Sequence, residues 1–276
     1  MVVPTRDRAG YLDVTLRSLR AQDLTEPHEL IVADDGSSDA TAAVAERAGA
    51  RVVRPRKGGG PNTARNAGIE AAASDLVALV DDDVEAPPGW LRAMVEGAAR
   101  HPEADAFGGP IRARLEGPAP RACGREEPPI TSLDLGPADL EVDLVWSANM
   151  ALRRAAFERV GGFDERFSTG GDEEEWLRRL RDAGGRVVYL AGAGLDHRRA
   201  GDDARLRALV RDAYRRGRNM RAYDAMRDRA PSVRRELRVL AGCGWHTVRR
   251  ACPQGFVMGA HSAGRIAEAV RPSRLR

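Results

Sequence analysis

The chain lacks the features that stabilise small secreted domains or hold a protein in a membrane. Only three cysteines occur among its 276 residues, and this odd, sparse set argues against a disulfide framework and fits a reducing compartment. No CxxC pair is present, so the spacing gives no support for a structural zinc site. No apolar run approaches the roughly 20 residues of a membrane-spanning helix. Arg6 and Asp7 interrupt the apolar start, which therefore forms no secretory signal. These absences predict a cytoplasmic protein.

Lysine is nearly absent as well, since Lys57 is the only one and almost all positive charge comes from arginine. The formal net charge of +3 conceals an asymmetry. From Arg198 to the end, about 20 arginines face about 7 acids, so the rest of the chain is net acidic. The composition, 42% hydrophobic and 31% charged, is that of a soluble globular protein. A length of 276 residues fits one large α/β domain and an appendage.

Short β-type runs alternate with amphipathic helical stretches in the first half. Strands are predicted at 1–4, 30–33, 51–54 and 76–80, and helices at 11–21, 40–48 and 64–73. This alternation implies an α/β fold with a mostly parallel sheet and helices on both faces. The run at 76–80 is apolar throughout and should therefore lie in the middle of the sheet.

The second half is less regular. Helices are predicted at 90–100, 155–160 and 173–183, and strands at 104–109 and 187–190, the latter being the last strand. Residues 116–137 are rich in Pro and Gly and are expected to form a long loop. Beyond Asp202, Arg-rich helices are expected, with breaks at Pro231 and Pro253.

Three consecutive acids, Asp81, Asp82 and Asp83, follow the apolar strand directly. Ligands of open α/β sheets bind at the carboxyl ends of the strands. Three carboxylates there are costly unless a cation arrives, and Mg²⁺ and Mn²⁺ bind carboxylate and diphosphate oxygens. A solvated acidic turn would show the same residues, but their position after a central strand favours a metal and diphosphate site.

Two further segments resemble ligand-binding loops. Residues 34–36, Asp-Asp-Gly, end the second predicted strand, where a carboxylate can accept hydrogen bonds from a base or from ribose hydroxyls. Ordinary turns use the same residues. Residues 58–60 are three glycines before a helix, an arrangement that suits phosphate binding through backbone N–H groups. The spacings of the dinucleotide fingerprint and the P-loop are missing, so a surface loop remains an alternative.

An acidic cluster, Asp-Glu-Glu-Glu at 172–175, opens the last predicted helix of the first 200 residues. Acids in a first helical turn are favoured by the helix dipole, so a solvated cap would explain them. The alternative is that one carboxylate faces a site and acts as a general base. Helical spacing cannot place all four on one side.

In this order, the segments resemble the start of the family 2 glycosyltransferases. The resemblance covers about residues 1–200, and the ordered set is far more specific than any one motif. Its motifs are VVPTRDR at 2–8, IVADDGSSD at 31–39, ARNAG at 64–68, LVDDD at 79–83, SANMALRR at 147–154 and VGGFDERF at 160–167. The resemblance implies a GT-A (Rossmann-like) fold, a nucleotide-diphosphate sugar donor, a divalent metal (Mn²⁺ or Mg²⁺) and single-displacement transfer with inversion.

The resemblance also implies roles for individual residues. Those expected to bind the nucleotide and donor are Pro4, Thr5, Asp35, Arg65, Asp81, Asp82, Gly109 and Asn149. Asp83 is the expected direct metal ligand. His197, placed after the last predicted strand, is the second expected ligand, although a lone His is otherwise more often a surface residue.

Two residues are candidates for the general base. The family commonly shows Glu-Asp before its helix, with the Asp as base, whereas this chain has Asp172-Glu173. Alignment on Glu175, Trp176 and Arg179 puts Glu173 at the base position, and Asp172 is the alternative. On the resemblance, residues 1–200 form a catalytic domain, with a nucleotide-binding half to about 110 and an acceptor half from about 111. Residues 201–276 form a helical C-terminal extension.

The sequence does not decide the role of the Arg-rich extension or the identity of the substrates. One interpretation of the extension is helices packed on the catalytic domain with a solvated Arg face. The other is peripheral attachment to an anionic membrane surface at the inner face of the membrane, near a lipid-linked acceptor. Nucleic acid is not an expected partner, because the sequence contains no recognised nucleic-acid-binding motif. A UDP-sugar is the default donor, with GDP- and dTDP-sugars as alternatives, and the acceptor hydroxyl belongs to a glycan, a lipid-linked sugar or a small molecule.

Two other functional classes use similar residues. A sugar nucleotidyltransferase also combines an α/β fold with acidic metal sites, but its Gly-rich loop would lie much closer to the first strand. A binding module for sugar or nucleic acid would keep the fold without turnover. The acids retained at both 81–83 and 172–173 argue against such a loss.

Overall fold

A computed structural model of the chain describes residues 1–56, 58–121, 123–124, 129–167 and 171–272. The expected loop at 116–137 and the extension at 201–276 therefore lie partly outside the described residues. The chain divides into two compact units. The sheet unit comprises 1–113, 131–165 and 172–198, and the helical unit comprises 114–130, 166–171 and 199–276.

The sheet unit is built on a sheet of eight strands in the order β3-β2-β1-β4-β9-β6-β10-β8. The strands of the described chain are β1 (Val2–Thr5), β2 (Ile31–Asp34), β3 (Arg51–Val53), β4 (Leu76–Val80), β5 (Val84–Glu85), β6 (Ala106–Gly108), β7 (Ile111–Leu115), β8 (Leu140–Glu141), β9 (Asn149–Arg153), β10 (Val187–Tyr189) and β11 (Leu195–Arg199). Strands β1 to β4 pair in parallel, as does β6 with β10, while β9 runs antiparallel between β4 and β6. A second sheet has the order β5-β11-β7.

Helices cover both faces of the large sheet, as predicted. The helices of the sheet unit are α1 (Ala9–Arg20), α2 (Thr41–Arg47), α3 (Pro61–Ala71), α4 (Trp90–Arg100), α5 (Arg154–Val160) and α6 (Asp172–Asp182). Neighbouring strand residues alternate between two hydrophobic clusters, because successive side chains of a strand point to opposite faces. Val3 packs with α1, α2 and α4, and Val2 packs with α3, α5 and α6. The predicted α/β class is thus confirmed.

The second half departs from the prediction at its strands. The expectation that 187–190 is the last strand is wrong, since β11 follows and His197 lies within it. Strand β11 pairs antiparallel with β5, with His197 opposite Val84. Its sequence, Leu-Asp-His-Arg-Arg, carries four polar residues in a row, so hydrophobic alternation does not reveal it. The described residues of the expected loop at 116–137 form no helix or extended strand.

The helical unit contains α7 (Leu206–Ala225), α8 (Val233–Arg250) and α9 (Gln254–Val270), with breaks at Pro231 and Pro253 as predicted. Helices α7 and α9 approach backbone to backbone at two glycines. A Cβ on Gly217 or Gly264 would lie within about 2 Å of a carbonyl oxygen on the opposite helix. Among the described residues, no helix has both the length and the apolar character needed to cross a membrane.

Candidate active site

The carboxyl ends of the parallel strands bring together residues that are far apart in the sequence. Thr5 ends β1, and the acid triplet directly follows β4, the neighbouring strand. The Thr5 hydroxyl donates a 2.6 Å hydrogen bond to Asp82 Oδ2. Parallel strands that share a direction end at the same edge, so this convergence follows from the topology.

An arginine directly before α1 contacts two acids of the triplet. Arg8 pairs with Asp82 at 2.9 Å through one terminal nitrogen and with Asp83 at 2.9 Å through the other. Burial raises the pKa of Asp82 to about 7, while the nearby Arg8 opposes that shift and Asp83 adds to it. Asp82 and Asp83 therefore share a single guanidinium.

Two carboxylates and an imidazole form a candidate metal site. Ligand atoms of Asp81, Asp83 and His197 all lie within 4.8 Å of one another, and Asp83 and His197 are buried. His197 Nδ1 lies 3.1 Å from the Thr131 carbonyl oxygen, which can only accept, so Nδ1 carries the proton. Nε2 then faces Asp83 Oδ1 at 3.1 Å. A metal cation bound between these two atoms would receive a lone pair from each of them.

A buried arginine links the acid triplet to the start of α6. Arg65, on α3, pairs with Asp172 at 2.7 Å and with Asp81 at 3.4 Å. Asn62 accepts a further hydrogen bond from the same guanidinium at 2.8 Å. Burial by itself would lower the pKa of Arg65, but Asp172 and Asp81 outweigh it and raise the pKa above the usual value. Arg65 therefore stays charged inside the site.

Glu173 follows Asp172 in the sequence, but its carboxyl group has different hydrogen-bond partners. Its Oε1 accepts a hydrogen bond from the Ser147 hydroxyl at 2.5 Å and a longer one from the Ser147 amide at 3.3 Å. Burial raises the pKa of Glu173 to about 7, with Asp172 adding to the shift and Arg65 and Ser147 opposing it. A carboxyl group that titrates near neutral pH is suited to accept a proton during a reaction.

The segment predicted to bind the nucleoside is held by an internal hydrogen-bond network. Asp35 is buried, and its two carboxylate oxygens each accept a 3.0 Å hydrogen bond, from the amides of Gly59 and Gly60. These two amides are thus used within the chain, so the loop is anchored rather than free. Pro4 is buried in β1 and pairs in register with Ala33 of β2.

Asn149 and Gly109 lie together in a tightly packed region. Both amide protons of Asn149 are donated to backbone carbonyls, those of Pro110 and Ala193, and its oxygen accepts from the Trp90 indole at 2.8 Å. A Cβ on Gly109 would lie 2.1 Å from the Ala193 oxygen. In this geometry, both residues fix the backbone around the edge of the sheet.

Three side chains of the site escaped the sequence prediction. Arg8, Ser147 and Asn62 contact the predicted acids or Arg65, but none carried an assigned role. Arg8 and Ser147 lie within motifs that support the resemblance. A cation that follows β1 at the same edge as three acids was a usable signal for Arg8.

Comparison with known proteins gives concordant results. The family model described as "Glycosyl transferase family 2" matches residues 1–161. The pre-mycofactocin glycosyltransferase of Mycobacterium tuberculosis is 34% identical over 209 residues, which cover 72% of this chain and 42% of that protein. The validoxylamine A glucosyltransferase of Streptomyces hygroscopicus subsp. jinggangensis is 30% identical over 205 residues, covering 63% and 49%. This chain thus spans less than half the length of these relatives.

Solved structures show the same fold at low sequence identity. The mannosyltransferase PcManGT of Pyrobaculum calidifontis, in complex with GDP-Man and Mn²⁺, matches with a TM-score of 0.61 and 18% identity, over 99% of this chain and 75% of that one. S. aureus TarS 1–349, in complex with UDP-GlcNAc, matches with a TM-score of 0.58 and 16% identity, over 98% and 90%. These likenesses confirm the expected GT-A fold.

The segment that matches the family model is long and contains much of the candidate site. The matched segment, 161 of 276 residues, contains β1, the acid triplet, Arg65 and Asn149. It ends before Asp172, Glu173 and His197, which the fold nevertheless brings to the same edge of the sheet. With more than half of its length matched, the chain belongs to glycosyl transferase family 2.

Proposed function

We propose that this chain transfers a sugar from a nucleotide-diphosphate sugar, by default a UDP-sugar, to an acceptor hydroxyl with inversion at the anomeric carbon. One observation carries the proposal. Arg65 joins Asp81, at the end of β4, to Asp172, at the start of α6, so groups suited to hold a diphosphate and a group suited to activate a hydroxyl share one edge. Single displacement needs both functions close to the donor.

Binding of the donor requires positive charge next to its diphosphate. Asp83 and His197, with Asp81 beside them, would hold a divalent cation, and Mn²⁺ suits this mixture of carboxylate and imidazole. Such a cation, when bound, would stabilise negative charge on the departing nucleotide diphosphate. Arg65 stays charged next to the triplet and would stabilise the same leaving group. The solved complexes of PcManGT with GDP-Man and Mn²⁺ and of TarS with UDP-GlcNAc support a nucleotide-sugar donor.

We also propose roles for the other residues that were predicted to contact the donor. Pro4, Thr5 and Asp35 are proposed to form the nucleoside side of the pocket, with Asp82 next to them through its bond to Thr5. Gly109 and Asn149 are proposed to shape the sugar side through the backbone that they fix.

For the proton, we propose Glu173 as the general base. Asp172 is engaged in the 2.7 Å ion pair with Arg65, whereas Glu173 accepts its hydrogen bonds from Ser147. Glu173 has a pKa of about 7, so it is available as a base at neutral pH and becomes a stable acid after it accepts the proton. Asp172 then acts as a positioning residue that holds Arg65.

The proposal is tested by product analysis with a panel of UDP-, GDP- and dTDP-sugars, with and without Mn²⁺. We expect metal-dependent release of the nucleoside diphosphate, slow with water and faster with a suitable acceptor. Release of pyrophosphate would instead identify a nucleotidyltransferase, and no release from any donor would favour a binding module. A thermal shift with the same donors identifies the nucleotide, because a ligand that binds only the folded state raises the unfolding temperature.

We further propose that the helical unit attaches to an anionic membrane surface. Helix α8 carries exposed apolar side chains, among them Leu237, Trp245 and Val248, the last two with 65% and 79% of their surface exposed. Arginines flank them on the same helix, at 234–235, 238 and 249–250. Exposed apolar residues with a basic surround are typical of helices that lie in a membrane interface.

Vesicle sedimentation tests this attachment. Binding should require phosphatidylglycerol in the vesicles and weaken at high salt, because the arginines interact with anionic headgroups. The double variant Trp245→Ser, Val248→Ser should bind less, whereas Leu135→Ser, which removes an exposed apolar side chain of the sheet unit, should bind as before. Absence of binding to anionic vesicles at low salt would rule out the proposal.

A further inference from the structure

The helical unit contains a second cluster of metal-ligating groups, chemically different from the carboxylate site. Cys123 lies in the segment 114–130, His246 in α8, and Cys252 between α8 and α9. Their ligand atoms all lie within 4.8 Å of one another. Cys252 is buried, His246 is half-buried and Cys123 is exposed, so the cluster is reachable from solvent on one side.

Local structure explains how two of the three groups meet. Helix α8 ends at Arg250, and Ala251 adopts the left-handed conformation with φ of 47°. This residue reverses the chain, so that the Cys252 amide bonds back to the Thr247 carbonyl at 3.2 Å. The reversal brings Cys252 beside the last turns of the helix that carries His246.

The distance between two of the ligand atoms fits tetrahedral coordination. Zinc binds thiolate sulfur at about 2.3 Å and imidazole nitrogen at about 2.0–2.1 Å, and at a tetrahedral angle these two ligand atoms lie about 3.6 Å apart. Cys123 Sγ and His246 Nε2 are 3.6 Å apart. A thiol–imidazole hydrogen bond alone would give a similar distance, and the Cys252 thiol also contacts the Arg121 carbonyl oxygen at 4.0 Å. The convergence of all three ligand atoms within 4.8 Å is what favours a metal site.

We propose that Cys123, His246 and Cys252 form a zinc site. A Cys₂His set is a known zinc combination that leaves the fourth position to water. On binding, each thiol loses its proton to solvent, so one Zn²⁺ replaces two protons and the site carries no net charge. The metal would link Cys123 to the junction of α8 and α9, which is distant from it in the chain. Thiolates disfavour Mg²⁺ and Mn²⁺, so this site is separate in chemistry from the carboxylate site.

The experiment measures zinc per chain in the 276-residue chain. Asp83→Ala serves as the parent, since it removes the carboxylate site as a competing zinc ligand. The protein is reduced, stripped with a chelator, reloaded with ZnCl₂, desalted and assayed by elemental analysis. We expect about one zinc per chain in the parent, and loss of most of this zinc in Cys123→Ser, His246→Ala or Cys252→Ser, because each variant removes one of three protein ligands. Cys243→Ser, which changes the third cysteine, should retain the zinc.

A second measurement guards against misfolded variants. Co²⁺ in place of Zn²⁺ should give thiolate-to-metal charge-transfer absorption in the parent and in Cys243→Ser, and a weaker band in each single-cysteine variant. Zinc stoichiometry that is unchanged in both Cys123→Ser and Cys252→Ser would overturn the proposal. So would a parent that, after reduction, takes up no zinc, or one in which mass spectrometry shows a Cys123–Cys252 disulfide that forms equally in the presence of zinc.

Discussion

Each unit of the molecule contains an arginine that bridges two carboxylates, and the two bridges differ in their surroundings. In the sheet unit, Arg65 pairs with Asp81 and Asp172. In the helical unit, Arg265 of α9 pairs with Asp224 of α7 and with Glu236 of α8. Taken alone, each bridge is a buried ion network, which is a common structural feature.

The balance of charge distinguishes them. Within the part of the chain that the structure describes, five carboxyl groups at the sheet edge accompany two arginines: Asp81, Asp82, Asp83, Asp172 and Glu173 with Arg8 and Arg65. Among the described residues of the helical unit, three carboxyl groups accompany two arginines: Asp224, Glu236 and Glu268 with Arg218 and Arg265. Burial raises the pKa of both Asp82 and Glu173 to about 7. An excess of buried acid costs free energy, and we infer that it is kept where a cationic ligand and a proton are to be bound.

The largest expected effect is that of Asp83→Ala. Removal of this carboxylate takes away a ligand from the proposed cation site, so transfer should fall on the order of 10³-fold or more and metal-dependent donor binding should weaken. Turnover measured against Mn²⁺ concentration checks this. Glu268→Ala, which removes a carboxylate from the helical network, should leave the metal dependence unchanged. Normal turnover of Asp83→Ala at saturating Mn²⁺ would exclude Asp83 as a ligand.

Glu173→Gln separates the base from the donor site. Without a proton acceptor, kcat should fall roughly 10²- to 10⁴-fold, while the Kd for the donor stays close to that of the parent. The matched variant Asp172→Asn should weaken donor binding, because Asp172 holds Arg65 at 2.7 Å. Pre-steady-state turnover and donor titration distinguish the two. If Glu173→Gln turns over at a near-normal rate and Asp172→Asn does not, the base is Asp172.

Substitution of the bridging arginine in each unit tests whether the two ion networks differ in function. Arg265→Met would leave Asp224 and Glu236 without their shared cation, so the free energy of unfolding should fall by about 3 kcal/mol. The folded fraction should keep its kcat, since this network takes no part in the proposed reaction. Arg65→Met should lose transfer even where the protein remains folded. Denaturant unfolding together with kcat provides the measurements, and equal loss of activity in both variants would contradict the distinction.

The sequence predicted those parts of the site that follow from strand ends. Asp81, Asp82 and Asp83 could be placed because they follow an apolar strand in the centre of a parallel sheet, and the resemblance supplied Arg65 and Glu173. The position of the acid triplet beside Thr5 was predictable, since parallel strands deliver their carboxyl ends to one edge, whereas Arg65 and Glu173 lie on helices α3 and α6. The roles of these residues stay predictions until the variants are measured.

Other features could not be predicted, for reasons of chain topology. His197 was expected after the last strand but lies in β11, whose polar sequence masks its pairing with β5. The Cys123, His246 and Cys252 cluster was missed because zinc motifs are recognised by short spacings, and Cys123 is far from the other two in sequence. Contacts of this kind depend on how distant segments fold back, which local patterns do not encode.

The smallest expected effect concerns the pH dependence set by Ser147. The Ser147 hydroxyl donates to the ionised form of Glu173, so its loss in Ser147→Ala should raise the Glu173 pKa further above about 7. A hydrogen bond to a charged group contributes about 1.5–3 kcal/mol, which corresponds to roughly one to two pKa units. Below that pKa the base is protonated, so kcat should fall on the acidic side and approach the parent value at high pH. The measurement is kcat against pH, with Ser262→Ala, at a buried serine of α9, as the matched control. An acidic limb that stays in place in Ser147→Ala would mean that a group other than Glu173 accepts the proton, and the excess acid at the sheet edge would then serve the cation alone.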